Sequence, residues 1–82
     1  MKKVVKVKPQ DFKIVCEFND GKIVEYDMAY LLEKNGPMVE PLKDELFFNK
    51  VSILDGDVIW SNGYDLNPEV IYREGRVISE AS

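Results

Sequence analysis

From Val4 to Lys8 the chain alternates valine with lysine after Val5, and the alternation stops at Pro9. Period-two patterning predicts a strand with one buried face. A proline at its end, where a ladder donor is missing, predicts that the strand lies at a sheet edge. The next run places Phe12, Ile14, Cys16 and Phe18 on one side and Lys13, Val15 and Glu17 on the other, again at period two. Asn19-Asp20-Gly21 follows as a hairpin signal. A two-residue loop there would turn Glu25 and Asp27 toward the apolar face. A three-residue loop with Gly21 left-handed brings Val24 and Tyr26 there instead, so burial selects the longer loop.

Asp27 then reads as the N-cap of a short helix from Met28 to Lys34, with Tyr26 and Leu31 as its hydrophobic staple and Gly36-Pro37 as its stop. Met38 to Leu42, with prolines nearby, reads as an irregular crossing. Asp44 caps a single turn through Glu45, Leu46 and Phe47, whose apolar side chains are expected to anchor it. Val51 to Leu54 and Asp57 to Trp60 flank Asp55-Gly56, a two-residue hairpin that sets Val51 opposite Trp60 and Ile53 opposite Val58 on the core side. Asn62-Gly63 turns the chain out of that strand, and Asp65 is expected to accept hydrogen bonds from the turn's backbone. Asn67, Pro68 and Glu69 open a second helix as cap, first residue and dipole partner, with Leu66 and Ile71 as staple. Trp60 and Tyr72 are expected at the edge of the core, buried in body and wet at one tip.

The elements sum to an α+β fold in the order β-β-β-α-turn-β-β-α: a small antiparallel sheet of two hairpins plus an edge strand, with two short helices and a single helical turn packed on one face. The 82 residues are enough for one core only, so residues 1–82 read as a single domain with its core over 4–72 and a polar tail over 73–82.

Composition narrows the chemistry. The chain is 45% hydrophobic and 32% charged, a globular balance, with no apolar run long enough to span a membrane. Lys6 and Lys8 interrupt the amino terminus before a secretion signal can form, so a cytoplasmic location is expected. There is no histidine and one cysteine, which removes imidazole chemistry, a disulfide framework and a cysteine cluster for zinc. The net charge of −4 is uneven: residues 1–13 carry five lysines against Asp11, while the remainder carries six basic and fourteen acidic groups. Lysines on a first strand guard a sheet edge, and an acidic body repels a nucleic-acid backbone, so nucleic acid is not the expected partner.

Asp55, Asp57 and Asp65 lack the spaced ligand ladder of a calcium loop. Asp44 and Glu45 are adjacent and point apart, as a capping turn requires. Cys16 falls on a buried strand face. No catalytic residue, cofactor or metal ligand is therefore expected. The one stretch where site and structure compete is WSNGYDLNPEVIY. There Trp60, Asn62, Tyr64, Asp65 and Tyr72 form a candidate binding surface, polar groups beside aromatic faces.

The succession FKIVCEFNDGKIVEYD, LLEKNGPMVEPLKD, LFFNKVSI and DVIWSNGYDLNPEVIY resembles the small bacterial family catalogued as domain of unknown function 2442. The resemblance covers Val4 to Tyr72. Its signature is W-x-N-G-x-D-L-x-P-x-x-x-Y, matched by Trp60, Asn62, Gly63, Asp65, Leu66, Pro68 and Tyr72; Ser61 stands where members usually carry proline. The resemblance implies an α+β domain like the amino-terminal domain of longer bacterial proteins that carry a helix-turn-helix behind it. With ten residues after the signature, no such DNA reader is expected in this chain. The resemblance also implies a neighbouring small protein in an arrangement like a toxin and antitoxin pair. The expected function is accordingly a noncatalytic protein-interaction or regulatory module, antitoxin-like, whose partner is an adjacent small protein or a second copy. The alternative is a small-molecule binding or catalytic domain centred on the corner from Trp60 to Tyr72.

Overall fold

The computed structural model describes residues 1–80. Strands β1 (Val4–Gln10), β2 (Lys13–Phe18), β3 (Ile23–Asp27) and β7 (Arg76–Ser79) form a four-stranded sheet in the order β1-β2-β3-β7. Strands β4 (Ser52–Leu54), β5 (Asp57–Ile59) and β6 (Asp65–Leu66) form a second sheet in the order β4-β5-β6. Every pairing is antiparallel. Helices α1 (Glu45–Phe48) and α2 (Pro68–Glu74) and two 3-10 turns, Ala29–Glu33 and Glu40–Lys43, complete an α+β fold. The two hairpins read from the sequence are both present, but each belongs to its own sheet. The sheets meet where the Val4 amide donates to the Gly56 carbonyl at 2.9 Å.

Four tight turns build the strands, and they come in two kinds. Asp55-Gly56 and Asp11-Phe12 have positive φ at both central residues, the requirement of a type I′ hairpin. The first was legible from its glycine. The second was not, because Phe12 at φ 60° is a bulky residue where the left-handed region is costly. Two contacts hold it there: its ring packs 5.2 Å from that of Phe48, and its carbonyl accepts from the Met28 amide at 2.9 Å. Strand β1 consequently runs through Pro9 to Gln10 instead of stopping at Lys8.

The other two turns share one design. Across Asn19-Asp20-Gly21, the Phe18 amide donates to the Lys22 carbonyl, the Gly21 amide donates back to Phe18, and the Asp20 carboxylate accepts from the Lys22 amide. Across Ser61-Asn62-Gly63, Trp60, Gly63, Tyr64 and Asn62 repeat those three bonds position for position. The three-residue loop chosen on burial is therefore observed, with Cys16 opposite Val24 and Ile14 opposite Tyr26. A bulge at Val5 shifts the register between Val4 and Lys6. It turns both Val4 and Val7 inward from a sequence that strict alternation would split between the faces.

The core is apolar throughout. Ile14, Cys16, Phe18 and Val24 from the first sheet meet Val58 and Trp60 from the second, with Met28, Leu31, Leu42, Phe48 and Ile71 between them. Three local expectations need correction. The helix expected over Met28 to Lys34 is a 3-10 turn, although the Asp27 carboxylate does accept from the Ala29 amide at 2.9 Å. The turn capped by Asp44 is anchored by Phe48, fully buried, while Leu46 is 75% exposed. The segment expected as a polar tail carries strand β7, whose Arg76 and Val77 pair with Glu25 and Val24. Residues 81 and 82 of that segment lie outside the described residues. Gly75 makes the return possible: a Cβ there would overlap the Val24 side chain and lie 2.8 Å from the Ile71 carbonyl, so only glycine lets α2 drop onto β3.

Candidate functional site

The corner from Trp60 to Tyr72 begins where β5 ends. Trp60 is 1% exposed, and its indole Nε1 donates to the Phe48 carbonyl at 2.9 Å. The expected wet tip is thus absent, because the indole N–H shares the Phe48 carbonyl at the end of the Asp44-capped turn with the Val51 amide, which donates to it at 3.2 Å. The Trp60 ring packs against Phe48 at 5.6 Å and edge-on to Tyr64 at 5.9 Å. Asn62 uses both ends of its amide: Oδ1 accepts from the Tyr64 amide at 3.2 Å, and Nδ2 donates to the Met38 carbonyl at 3.0 Å. It therefore closes its own turn and pins the crossing segment to it. Gly63 has φ 92°, while a Cβ there would meet only the Met38 Cε at 3.6 Å. Its glycine is required by backbone conformation and not by space.

Asp65 does not do what its position in the signature suggested. It is exposed in β6, its backbone pairs with Ile59, and among the described residues its carboxylate has no hydrogen-bond partner. The turn amide it was expected to hold belongs to Asn62. Asp65 instead faces a groove of about 420 Å³ shared with Lys2, Lys3, Asp55, Asp57 and Glu69. Among the described residues no three carboxylates or thiols converge closely enough to hold a metal ion. At the start of α2 the expected cap is present, with Asn67 Oδ1 accepting from the Glu69 amide at 2.8 Å and Pro68 in the first turn.

Tyr72 belongs to a separate cluster. Its ring lies edge-on to Phe18 at 4.9 Å, and its hydroxyl donates to Asp20 Oδ2 at 2.6 Å. The ammonium groups of Lys2 and Lys22 sit 4.2 and 4.5 Å from its ring centre. Lys2 also pairs with Asp20 at 3.6 Å and Lys22 with Glu80 at 3.4 Å. The Tyr72 hydroxyl, followed by the Lys22 amide, holds the Asp20 carboxyl below its ordinary value. Tyr72, ahead of Asp20 or Glu80, likewise raises the two lysines. Sequence reading missed this cluster because Lys2, Asp20, Tyr72 and Glu80 are spread along the whole chain.

The five candidate residues are therefore not one surface. Trp60, Asn62 and Tyr64 stand together in the turn between β5 and β6 and are consumed by packing and turn closure. Asp65 looks onto the acidic and basic groove, and Tyr72 ties α2 to the β2–β3 loop. Tyr64 is also beside Tyr30, whose phenol is pushed up chiefly by burial, with Tyr26 and Tyr64 adding to the effect. Cys16 is fully buried, and burial pushes its thiol up to about 12, the opposite of what a nucleophile needs. No helix of the described residues is long and apolar enough to cross a membrane.

What the fold defines is a small α+β domain with two antiparallel sheets and no preformed constellation of reactive groups at its signature corner. The chain belongs to the family described as Protein of unknown function (DUF2442), whose model matches residues 4–77. The match runs past Tyr72 through Val77, so it takes in the first residues of β7. Neither a curated protein nor a solved structure gives a match.

Proposed function

We propose that the protein is a noncatalytic protein-interaction module, a regulatory or antitoxin-like subunit that engages its partner through the uncovered side of the four-stranded sheet. The observation that carries this reading is a one-sided sheet. Ile14, Cys16, Phe18 and Val24 face the core, while Val15 and Ile23 on the other face are only half-buried and line a shallow groove of about 470 Å³ with Lys6, Lys8 and Glu17. An apolar floor with a charged rim suits a protein partner better than a small ligand, which needs an enclosed pocket. The buried, proton-retaining Cys16 and the signature residues already spent on the core support the same reading over a ligand site at the corner. An adjacent small protein is the partner the family pattern points to.

Co-purification of the protein with the product of the adjacent gene tests the proposal. Strand β1 borders the groove, and Lys6 lies on it opposite Glu17. Ile23→Lys, which puts a charge on the apolar floor of the groove, should weaken the complex far more than Lys6→Ala on its rim. Equal binding by both variants and the parent would remove this face of the sheet as the contact, and the failure of any complex to form would count against the module itself.

A further inference from the structure

The four-stranded sheet has two edges, and they are treated differently. Strand β1 carries Lys6, Lys8 and Pro9 and a bulge at Val5, and its first amide is taken by Gly56. Each of these is a device that discourages a further strand. At the opposite edge β7 reads Arg76-Val77-Ile78-Ser79, with no lysine and no proline, every residue exposed, and Val77 and Ile78 at 42% and 48%. A hydrophobic, unguarded edge strand is a template for strand addition.

We infer that β7 is the self-association edge of the protein, pairing antiparallel with β7 of a second copy. The deduction rests on the interaction-module reading and names one partner for it. Charge selects the second copy and its direction. The segment has Arg76, paired with Glu25, at its start and Glu80, paired with Lys22, at its end, so antiparallel self-pairing adds a second opposite charge beside each, whereas parallel pairing aligns like with like. With Ile78 set opposite either Val77 or Ile78 of the second copy, Arg76 of each chain falls within one position of Glu80 of the other. Such a contact is isologous and closes on itself. It joins two four-stranded sheets into one continuous sheet whose outer edges are both the guarded β1, so growth stops at the dimer. A four-residue strand buries less than the roughly 1,200 Å² of a standard interface, so the dimer is weak and forms with rising concentration.

Sedimentation equilibrium of the isolated protein across a concentration series provides the test, with amide hydrogen exchange measured at the dilute and concentrated ends. The expected result is an apparent mass that rises toward twice the monomer value, with the amides of residues 76–79 gaining protection on concentration and those of residues 5–8 and 10 unchanged. Ile78→Lys, which guards the edge, should leave the protein monomeric over the whole series. Val5→Lys on the opposite edge should dimerise like the parent. A monomer at every concentration overturns the inference, as does a dimer whose new protection lies outside β7 or one that survives Ile78→Lys. The exchange measurement needs no variant, so it decides the matter even if Ile78→Lys fails to fold. Because no second protein is present, a missing dimer leaves the heterologous complex standing, and a missing complex leaves the dimer standing.

Discussion

Asn62 and Asp65 show how similar polar residues in one signature come to different work. Asn62 has a donor and an acceptor on one planar group, and both are used: the Tyr64 amide on one side and the Met38 carbonyl on the other. An aspartate in its place would keep the first bond and set a charge against a carbonyl. Asp65 offers only acceptors and meets no donor among the described residues. Asn62→Ala should therefore cost about 1 to 2 kcal/mol in chemical denaturation, since two backbone groups lose partners. Asp65→Ala should fall within about 0.5 kcal/mol of the parent. A larger loss for Asp65→Ala than for Asn62→Ala would show that the carboxylate has a structural partner in solution. At Asp20 the argument concerns protons. Its carboxyl is held below the ordinary aspartate value in the folded protein, so its favourable contribution is fully present above that ordinary value and is lost as pH falls through the lowered folded one. Asp20→Asn should flatten the acid limb of stability below about pH 4, measured as melting temperature against pH, and leave its shape near neutrality unchanged. An acid limb identical to the parent's would mean that the Tyr72 hydroxyl and the Lys2 ammonium do not hold this carboxylate.

At the scale of elements, the sequence was legible wherever one residue type can satisfy a turn. Gly21, Gly56 and Gly63 have φ of 90°, 87° and 92°, and each was placed correctly because little else tolerates that region. Burial settled the first register, Cys16 opposite Val24, and the two-residue Asp55-Gly56 turn set the second, Ile53 opposite Val58. Legibility failed where a tertiary contact overrides local preference. Phe12 at positive φ is stabilised by Phe48, thirty-six positions along the chain, and no local rule anticipates it. The Val5 bulge hid the inward turn of Val4 for a similar reason, since its cause is the pairing with β2 and not the alternation of β1. Strand β7 was missed because four exposed residues carry no burial pattern. Its signal was Gly75, which reads as a helix stop but is also the only residue that fits against Val24. Within the corner, the turn at Asn62 and the cap at Asn67 were read correctly. Tyr72 keeps the buried ring and exposed hydroxyl expected of it, while the reading failed at Trp60, whose indole tip is buried, and at Asp65, whose carboxylate holds no turn amide.

At the scale of the whole molecule, the question is whether two sheets in 82 residues can unfold separately. Neither has a core of its own. Trp60 of the second sheet bonds to Phe48, Phe48 packs on Phe12 between β1 and β2, and the amino-terminal segment is tied to both sheets by Val4 to Gly56 and by Asn19 to Lys3. Opening either sheet exposes the apolar surface of the other, so the unfolding transition should be all-or-none. Its free energy should be roughly 4 to 12 kcal/mol for a chain of this length. The protein carries its own pair of reporters, because it has one tryptophan and one cysteine and they lie in different sheets, Trp60 at 1% and Cys16 at 0% exposure. Trp60 fluorescence across a urea series reports the second sheet. Alkylation of Cys16 under native conditions reports the first, provided that reclosing outpaces labelling, so that the rate follows the open population. The two free energies should agree within the error of extrapolation, about 10 to 15%. A Cys16 value well below the Trp60 value would mean that the four-stranded sheet opens by itself, and the shared core would then be two cores in contact.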